Sequence, residues 1–80
     1  MELLSMNNAI VWGQKGCQFC DTAVAVLKAR GVEVEERKIG EGKWTKFDFV
    51  NAFPKARTIP QIVIDGVHIG GYRELVDELQ

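Results

Sequence analysis

The chain has 80 residues, 46% of them apolar, with ten lysines and arginines against eleven acids and a net charge of −1. That length fits one domain with a modest core, and near-neutral, interspersed charge lacks the basic footprint of a nucleic-acid binder. No apolar run approaches a membrane span. The opening Met1-Glu2-Leu3-Leu4-Ser5-Met6 is acidic and too short for a signal peptide, so a cytoplasmic domain is expected.

Residues 1–7 carry no motif; Leu3, Leu4 and Met6 are apolar enough to pack on the body or extend the first strand. Ala9-Ile10-Val11-Trp12 reads as a short buried strand stopped by Gly13. Gly13-Gln14-Lys15-Gly16 is a loop by its glycines. From about Gln18 to Arg30, Cys20, Ala23, Val24 and Leu27 follow the i, i+3, i+4, i+7 pattern of a helix, with Gly31 placed as its stop. Val32-Glu33-Val34-Glu35 alternates as a half-exposed strand extending toward Ile39, and Gly40-Glu41-Gly42 breaks it. Lys43 to Phe53 reads as a second helix, with Thr45 and Asp48 spaced for a capping box and Trp44, Phe47, Val50 and Phe53 as an aromatic inner stripe. Pro54 ends it.

Gln61-Ile62-Val63-Ile64 is β-branched, and Asp65-Gly66 separates it from Val67-His68-Ile69 as a hairpin turn would. Gly70-Gly71 closes that strand. Tyr72, Leu75, Val76 and Leu79 mark one face of a last helix. The order strand-helix-strand-helix-strand-strand-helix implies parallel pairing in the first half and antiparallel pairing in the second. A four-stranded mixed sheet with helices on both faces follows.

The chemistry-bearing stretch is Lys15-Gly16-Cys17-Gln18-Phe19-Cys20, which holds both cysteines of the chain. Cys17 falls at the N-terminus of the first helix and Cys20 one turn inside. Unpaired N–H groups and the helix dipole favour thiolate there, and thiolate attacks disulfides. A second cysteine so placed can resolve the mixed disulfide. The competing readings are two core cysteines or half of a zinc site, for which His68 is the one further good ligand and four are needed. His68 itself reads as a half-exposed strand residue. Asp21 in the first turn suits the dipole but partly opposes a neighbouring thiolate. Lys15 is a candidate for binding a substrate carboxylate and stabilising the thiolate, or a solvated loop residue. Arg57 and Arg73 divide the same way, with Arg57 closer to the expected rim because it precedes Thr58-Ile59-Pro60.

A CxxC opening a helix after the first strand resembles the thioredoxin-like signature. Thr58-Ile59-Pro60-Gln61-Ile62-Val63-Ile64-Asp65 followed by His68-Ile69-Gly70-Gly71 is similar to the glutaredoxin pattern TVPQIFID…HIGG, with Cys17-Gln18-Phe19-Cys20 standing for CPYC. The resemblance covers residues 9–79 and implies one thioredoxin-like (glutaredoxin) α/β domain, a four-stranded mixed sheet flanked by three helices, within residues 1–80. It implies Cys17 as the exposed nucleophile and Cys20 as the buried resolving thiol. Pro60 would be a cis-proline facing the dithiol, and Ile59 would offer its backbone to glutathione. Thr58 and Gly70-Gly71 would frame the groove, Phe19 would wall it, and Glu74 would meet the glutathione ammonium group. Lys15 would stand in for the family lysine, whose own position is Gln14 here.

The implied activity is monomeric thiol–disulfide exchange with protein disulfides and glutathione mixed disulfides. Glutathione is the reducing co-substrate, no cofactor or metal is bound, and ribonucleotide reductase is a candidate client. Arg73 also resembles the SGFRPD segment of NrdH-like redoxins, which thioredoxin reductase serves. Two further alternatives are an iron–sulfur cluster shared between two copies through Cys17 and glutathione, and a non-catalytic adaptor of the same fold.

Overall fold

The computed structural model describes residues 6–80, so the expectations for Leu3 and Leu4 lie outside the described residues. Strand β1 (Asn8–Gly13) is followed by helix α1 (Gln18–Ala29), β2 (Glu33–Lys38), α2 (Lys46–Ala52), β3 (Gln61–Ile64), β4 (Val67–Gly70) and α3 (Tyr72–Glu78). The sheet order is β2-β1-β3-β4. β1 pairs parallel with β2 and antiparallel with β3, and β3 pairs antiparallel with β4. The mixed sheet and the type and order of the seven elements match the sequence reading.

The near-continuous apolar run of β1 reflects its position as a central strand covered on both faces. Ala9 and Val11 point one way and join Ala23, Val24 and Leu27 of α1, Ile62 and Ile64 of β3, and Leu75 of α3. Met6, placed in contact with this core, is the part of the N-terminal expectation that the described residues bear on. Trp12 points to the other face and is 4% exposed. Its ring lies 5.2 Å from Trp44, 6.0 Å from Phe49 and 5.7 Å from Phe53, so α2 covers that face through aromatic packing. The Arg37 guanidinium lies 4.0 Å from the Trp44 ring centre and donates to Glu35 at 2.6 Å. β2 forms one edge of the sheet, and its sequence EVEERK presents the charge expected of an edge that must not pair with another chain.

The second helix departs from expectation. It begins at Lys46, not Lys43, because Thr45 is extended and caps it. Asp48 N–H donates to Thr45 Oγ1 at 3.1 Å, and Thr45 N–H donates to Asp48 Oδ2 at 2.8 Å. This capping box sets the helical phase. Phe49 and Phe53, four residues apart, therefore face Trp12, whereas Phe47 is 72% and Val50 48% exposed. The expected stripe of Trp44, Phe47, Val50 and Phe53 is corrected accordingly. α1 ends one residue earlier than expected, with Arg30 as its cap and Gly31 at φ 82°. β2 begins at Glu33, one residue later than expected, while β1 includes Gly13 as its last residue.

The hairpin turn forms at Asp65-Gly66, with φ 49° and 83°, the left-handed pair that a two-residue turn requires. The Asp65 carboxylate accepts the Asn8 N–H at 3.0 Å, tying the turn to the start of β1.

Two outcomes follow. Phe53→Ala should cost about 3 kcal/mol in denaturant unfolding, whereas Phe47→Ala should stay within about 0.5 kcal/mol of the parent; equal costs would refute this phase for α2. Acid should also destabilise the fold. Hydrogen bonds from Thr45 hold the Asp48 carboxyl below its ordinary 3.8, and those from Gly71 and Arg37 hold Glu74 and Glu35 below 4.5. With folded values depressed, this stabilisation is complete above the unfolded values and lost as pH falls through the folded ones. Stability should therefore drop below about pH 4.5, and Asp48→Asn and Glu74→Gln should flatten that drop in urea titrations.

Candidate active site

The turn between β1 and α1 brings both sulfurs to the end of the sheet. Cys17 N–H donates to Gln14 O at 3.2 Å, closing the Gln14–Cys17 turn, with Gly16 at φ 81°. Cys17 is extended and serves as the N-cap of α1, and its Sγ accepts the Cys20 N–H at 3.2 Å. A sulfur thus holds the place that an N-cap oxygen usually takes. Cys17 and Cys20 are joined as a disulfide with their Cα atoms 5.2 Å apart. Cys17 is partly exposed and Cys20 is 4% exposed. The two sulfurs therefore meet solvent unequally.

β3 enters antiparallel to β1, with Gln61 opposite Trp12, so the preceding segment reaches the same sheet end as the disulfide. The Ile59–Pro60 peptide is cis, and Pro60 is buried. Gln61, 6% exposed, holds this turn from below: its Nε2 donates to Thr58 O at 2.9 Å and its Oε1 lies 2.8 Å from His68 Nε2. His68 is exposed and its ring packs 4.4 Å from Phe53, so it works as a strand residue supporting Gln61. No group of three or more metal-ligating side chains occurs among the described residues.

Thr58, Pro60, Gly71 and Glu74 converge. A side-chain carbon on Gly71 would lie 3.3 Å from Pro60 O, 3.5 Å from Glu74 Oε1 and 3.9 Å from Thr58 Oγ1. Glu74 Oε1 accepts the Gly71 N–H at 2.9 Å, which caps α3 and lowers the carboxyl pKa. One oxygen of the expected ammonium receptor is therefore engaged within the protein. A groove of about 560 Å³ runs from Gln14 past Thr58 and Ile59 to Lys46 and Arg57. Arg57 lines this groove next to Thr58. Lys46 was not anticipated, since its place on the groove depends on where α2 begins.

Phe19 is 61% exposed and stacks on Tyr72 at 5.2 Å with ring planes 28° apart. With Arg73 they line a second groove of about 540 Å³, apart from the groove that holds Thr58 and Ile59. Phe19 therefore walls the Tyr72 side. Tyr72 also packs against the core, as expected. Lys15 is exposed in the turn before Cys17 and lines neither groove. Gly13 is the residue whose importance the sequence reading missed. A side-chain carbon there would lie 2.7 Å from Cys20 Sγ. A glycine at a strand end carries no sequence signal that separates this need from an ordinary stop.

Among the described residues no helix is long and apolar enough to cross a membrane. The glutaredoxin family model matches residues 9–69. Glutaredoxin 3 of Escherichia coli K12 is 34% identical over 70 residues, covering 88% of this chain and 83% of that protein. The solution structure of glutaredoxin from Brucella melitensis superposes with a TM-score of 0.69 at 30% identity, over 91% of this chain and 78% of that one. A buckwheat glutaredoxin–glutathione complex shares the fold with a TM-score of 0.73 at 19% identity, over 96% and 72%. The disulfide at a helix N-terminus, the extent of the family match and these relatives agree: the chain belongs to the glutaredoxin family of thiol–disulfide oxidoreductases.

Proposed function

We propose that the protein reduces protein disulfides and glutathione mixed disulfides with glutathione as electron donor. The observation that carries this reading is the unequal pair at the start of α1: Cys17 partly exposed as the N-cap, Cys20 buried behind it. In the dithiol form the Cys20 N–H and the other free amides of the first turn favour anionic sulfur at Cys17. Cys17 thiolate attacks the client disulfide, one client sulfur leaves as thiol, and a mixed disulfide remains. Cys20 then attacks Cys17 Sγ, releases the second client thiol and closes the disulfide. Two glutathione thiols reopen it and leave as glutathione disulfide.

Support for glutathione comes from the chemistry of the groove beside the dithiol. Arg57 and Lys46 offer cations to its carboxylates, the Thr58-Ile59-Pro60 turn offers an extended backbone, and Glu74 offers a carboxylate oxygen to its ammonium group. The buckwheat relative was solved as a glutathione complex. Lys15 is proposed to act by its charge close to Cys17, and Phe19 to bound the site on the Tyr72 side. Ribonucleotide reductase is the candidate client, and a reducing cytoplasm is the compartment in which such a dithiol is recycled.

Two observations favour a second reading. Gln14 replaces the family lysine and Glu74 already accepts Gly71 N–H, which weakens two glutathione contacts and favours an NrdH-like redoxin reduced by thioredoxin reductase. Reduction of the oxidised protein by glutathione alone, compared with thioredoxin reductase plus NADPH, separates the two. Fast reduction by glutathione is expected, and reduction by the reductase alone would overturn the first reading. Arg57→Ala should raise KM for a glutathione mixed disulfide about fivefold with kcat little changed, the size of a partly exposed charge contact.

The cysteine roles have their own test. Cys17→Ser should abolish turnover on every substrate. Cys20→Ser should retain reduction of glutathione mixed disulfides and lose reduction of protein disulfides. Activity in Cys17→Ser would reverse the assignment.

A further inference from the structure

Gly13 meets Cys20 at closer than van der Waals distance for any side chain. A carbon built on Gly13 would stand 2.7 Å from Cys20 Sγ and 2.8 Å from Cys20 Cβ. The usual reasons for glycine are absent, because Gly13 is a regular strand residue and is not among the glycines with positive φ. What it supplies is empty space, filled by the sulfur of the buried cysteine.

Neither side of this contact can yield. Gly13 is the last ladder residue of a central strand, opposite Lys38 of β2, and its carbonyl accepts the Ile39 N–H at 2.8 Å. Cys20 sits in the first turn of α1, whose Ala23, Val24 and Leu27 are locked in the core. The crevice beside them, bordered by Val11, Gly13, Cys20 and Val24, measures about 10 Å³, roughly one water-sized sphere. While it is bonded to Cys17, the Cys20 sulfur has no room into which to back away.

We infer that Gly13 is a positioning residue for the redox couple: its missing side chain holds the space that Cys20 Sγ occupies in the Cys17–Cys20 disulfide, and so favours the oxidised form. In the disulfide, Cys20 Sγ is tethered to Cys17 and cannot rotate. In the dithiol it is released from Cys17, and another staggered χ1 position takes it out of the space beside Gly13. A methyl at Gly13 therefore opposes the disulfide more than the dithiol. Crowding of the Cys20 Cβ, by contrast, acts on both forms and changes stability without changing their ratio. This inference rests on the dithiol reading of Cys17 and Cys20 but not on the identity of the electron donor.

The test is the equilibrium of the pair with dithiothreitol, in which the Cys17–Cys20 bond gains two electrons and two protons while dithiothreitol closes its own disulfide. Gly13→Ala should shift that equilibrium about tenfold toward the dithiol, a potential about 30 mV less negative. An unchanged potential in folded Gly13→Ala would overturn the inference while leaving the exchange chemistry intact. No measurable Cys17–Cys20 couple in the parent protein would instead sink the dithiol reading itself. Unfolding in a Cys20→Ala background provides the second arm, since alanine keeps Cβ and removes only the sulfur. Gly13→Ala should cost clearly less there than in the oxidised parent. An equal cost, or failure to fold in both backgrounds, would place the collision at Cys20 Cβ and refute the role assigned to the sulfur.

Discussion

The site depends on the double pairing of β1. Because β1 runs parallel to β2 and antiparallel to β3, its C-terminal end is where α1 begins and also where β3 enters. The chain thus delivers a helix N-terminus and the Thr58-Ile59-Pro60 turn to one sheet end from segments about 40 residues apart in sequence. Neither segment could assemble the site alone. The first supplies the cysteine pair, and the second is proposed to supply a backbone edge and polar groups for whatever the thiol attacks. Packing on the two faces fixes this arrangement: Ala9 and Val11 clamp it to α1 and α3, while Trp12 clamps it to the aromatic residues of α2.

That geometry makes two identical side chains unlike. Cys17 occupies the cap position, where the first turn of α1 presents unpaired donors, and Cys20 N–H supplies one of them at 3.2 Å. Cys20 lies one turn deeper, against Gly13 and out of solvent. Donors at an exposed sulfur favour thiolate, whereas burial disfavours it. The proposed order of events, attack first from Cys17 and resolution second from Cys20, rests on where α1 begins. A one-residue shift of that start would exchange a capping sulfur for a helical one.

The sheet and the thiol pair were legible because their signals are local. Apolar runs, the CxxC at a helix start and the Asp65-Gly66 turn each act over a few residues, and the motif around Pro60 carries the family resemblance. The phase of α2 was less legible because two signals conflicted. Trp44, Phe47, Val50 and Phe53 suggest one stripe, while the Thr45–Asp48 box starts the helix at Lys46 and turns Phe47 outward. Capping prevailed because it satisfies N–H groups that otherwise lack partners. Trp44 then reaches Trp12 from the preceding turn, at 5.2 Å, without needing to be helical. Lys46 and Gly13 escaped for another reason. Their importance is defined by neighbours distant in sequence, the groove wall in one case and the Cys20 sulfur in the other, and no local pattern encodes it.

At Glu74 a structural role and the proposed binding role fall on one side chain. Its Oε1 accepts the N–H of Gly71 and caps α3 in place of the side chain that glycine lacks. The same contact orients the carboxylate, and Glu74 Oε1, Pro60 O and Thr58 Oγ1 all lie within 4 Å of where a side-chain carbon on Gly71 would stand. In the proposed glutathione reading the ammonium group loses the oxygen engaged by Gly71 N–H, but the carboxylate it meets is already oriented by folding, which lowers the ordering cost of binding. The hydrogen bond that lowers the pKa of Glu74 also keeps it anionic for such a partner. Truncation at Glu74 would therefore remove a helix cap and the proposed ligand contact together. Glutamine keeps an acceptor for Gly71 N–H but gives up the charge, which separates the two roles at a single position.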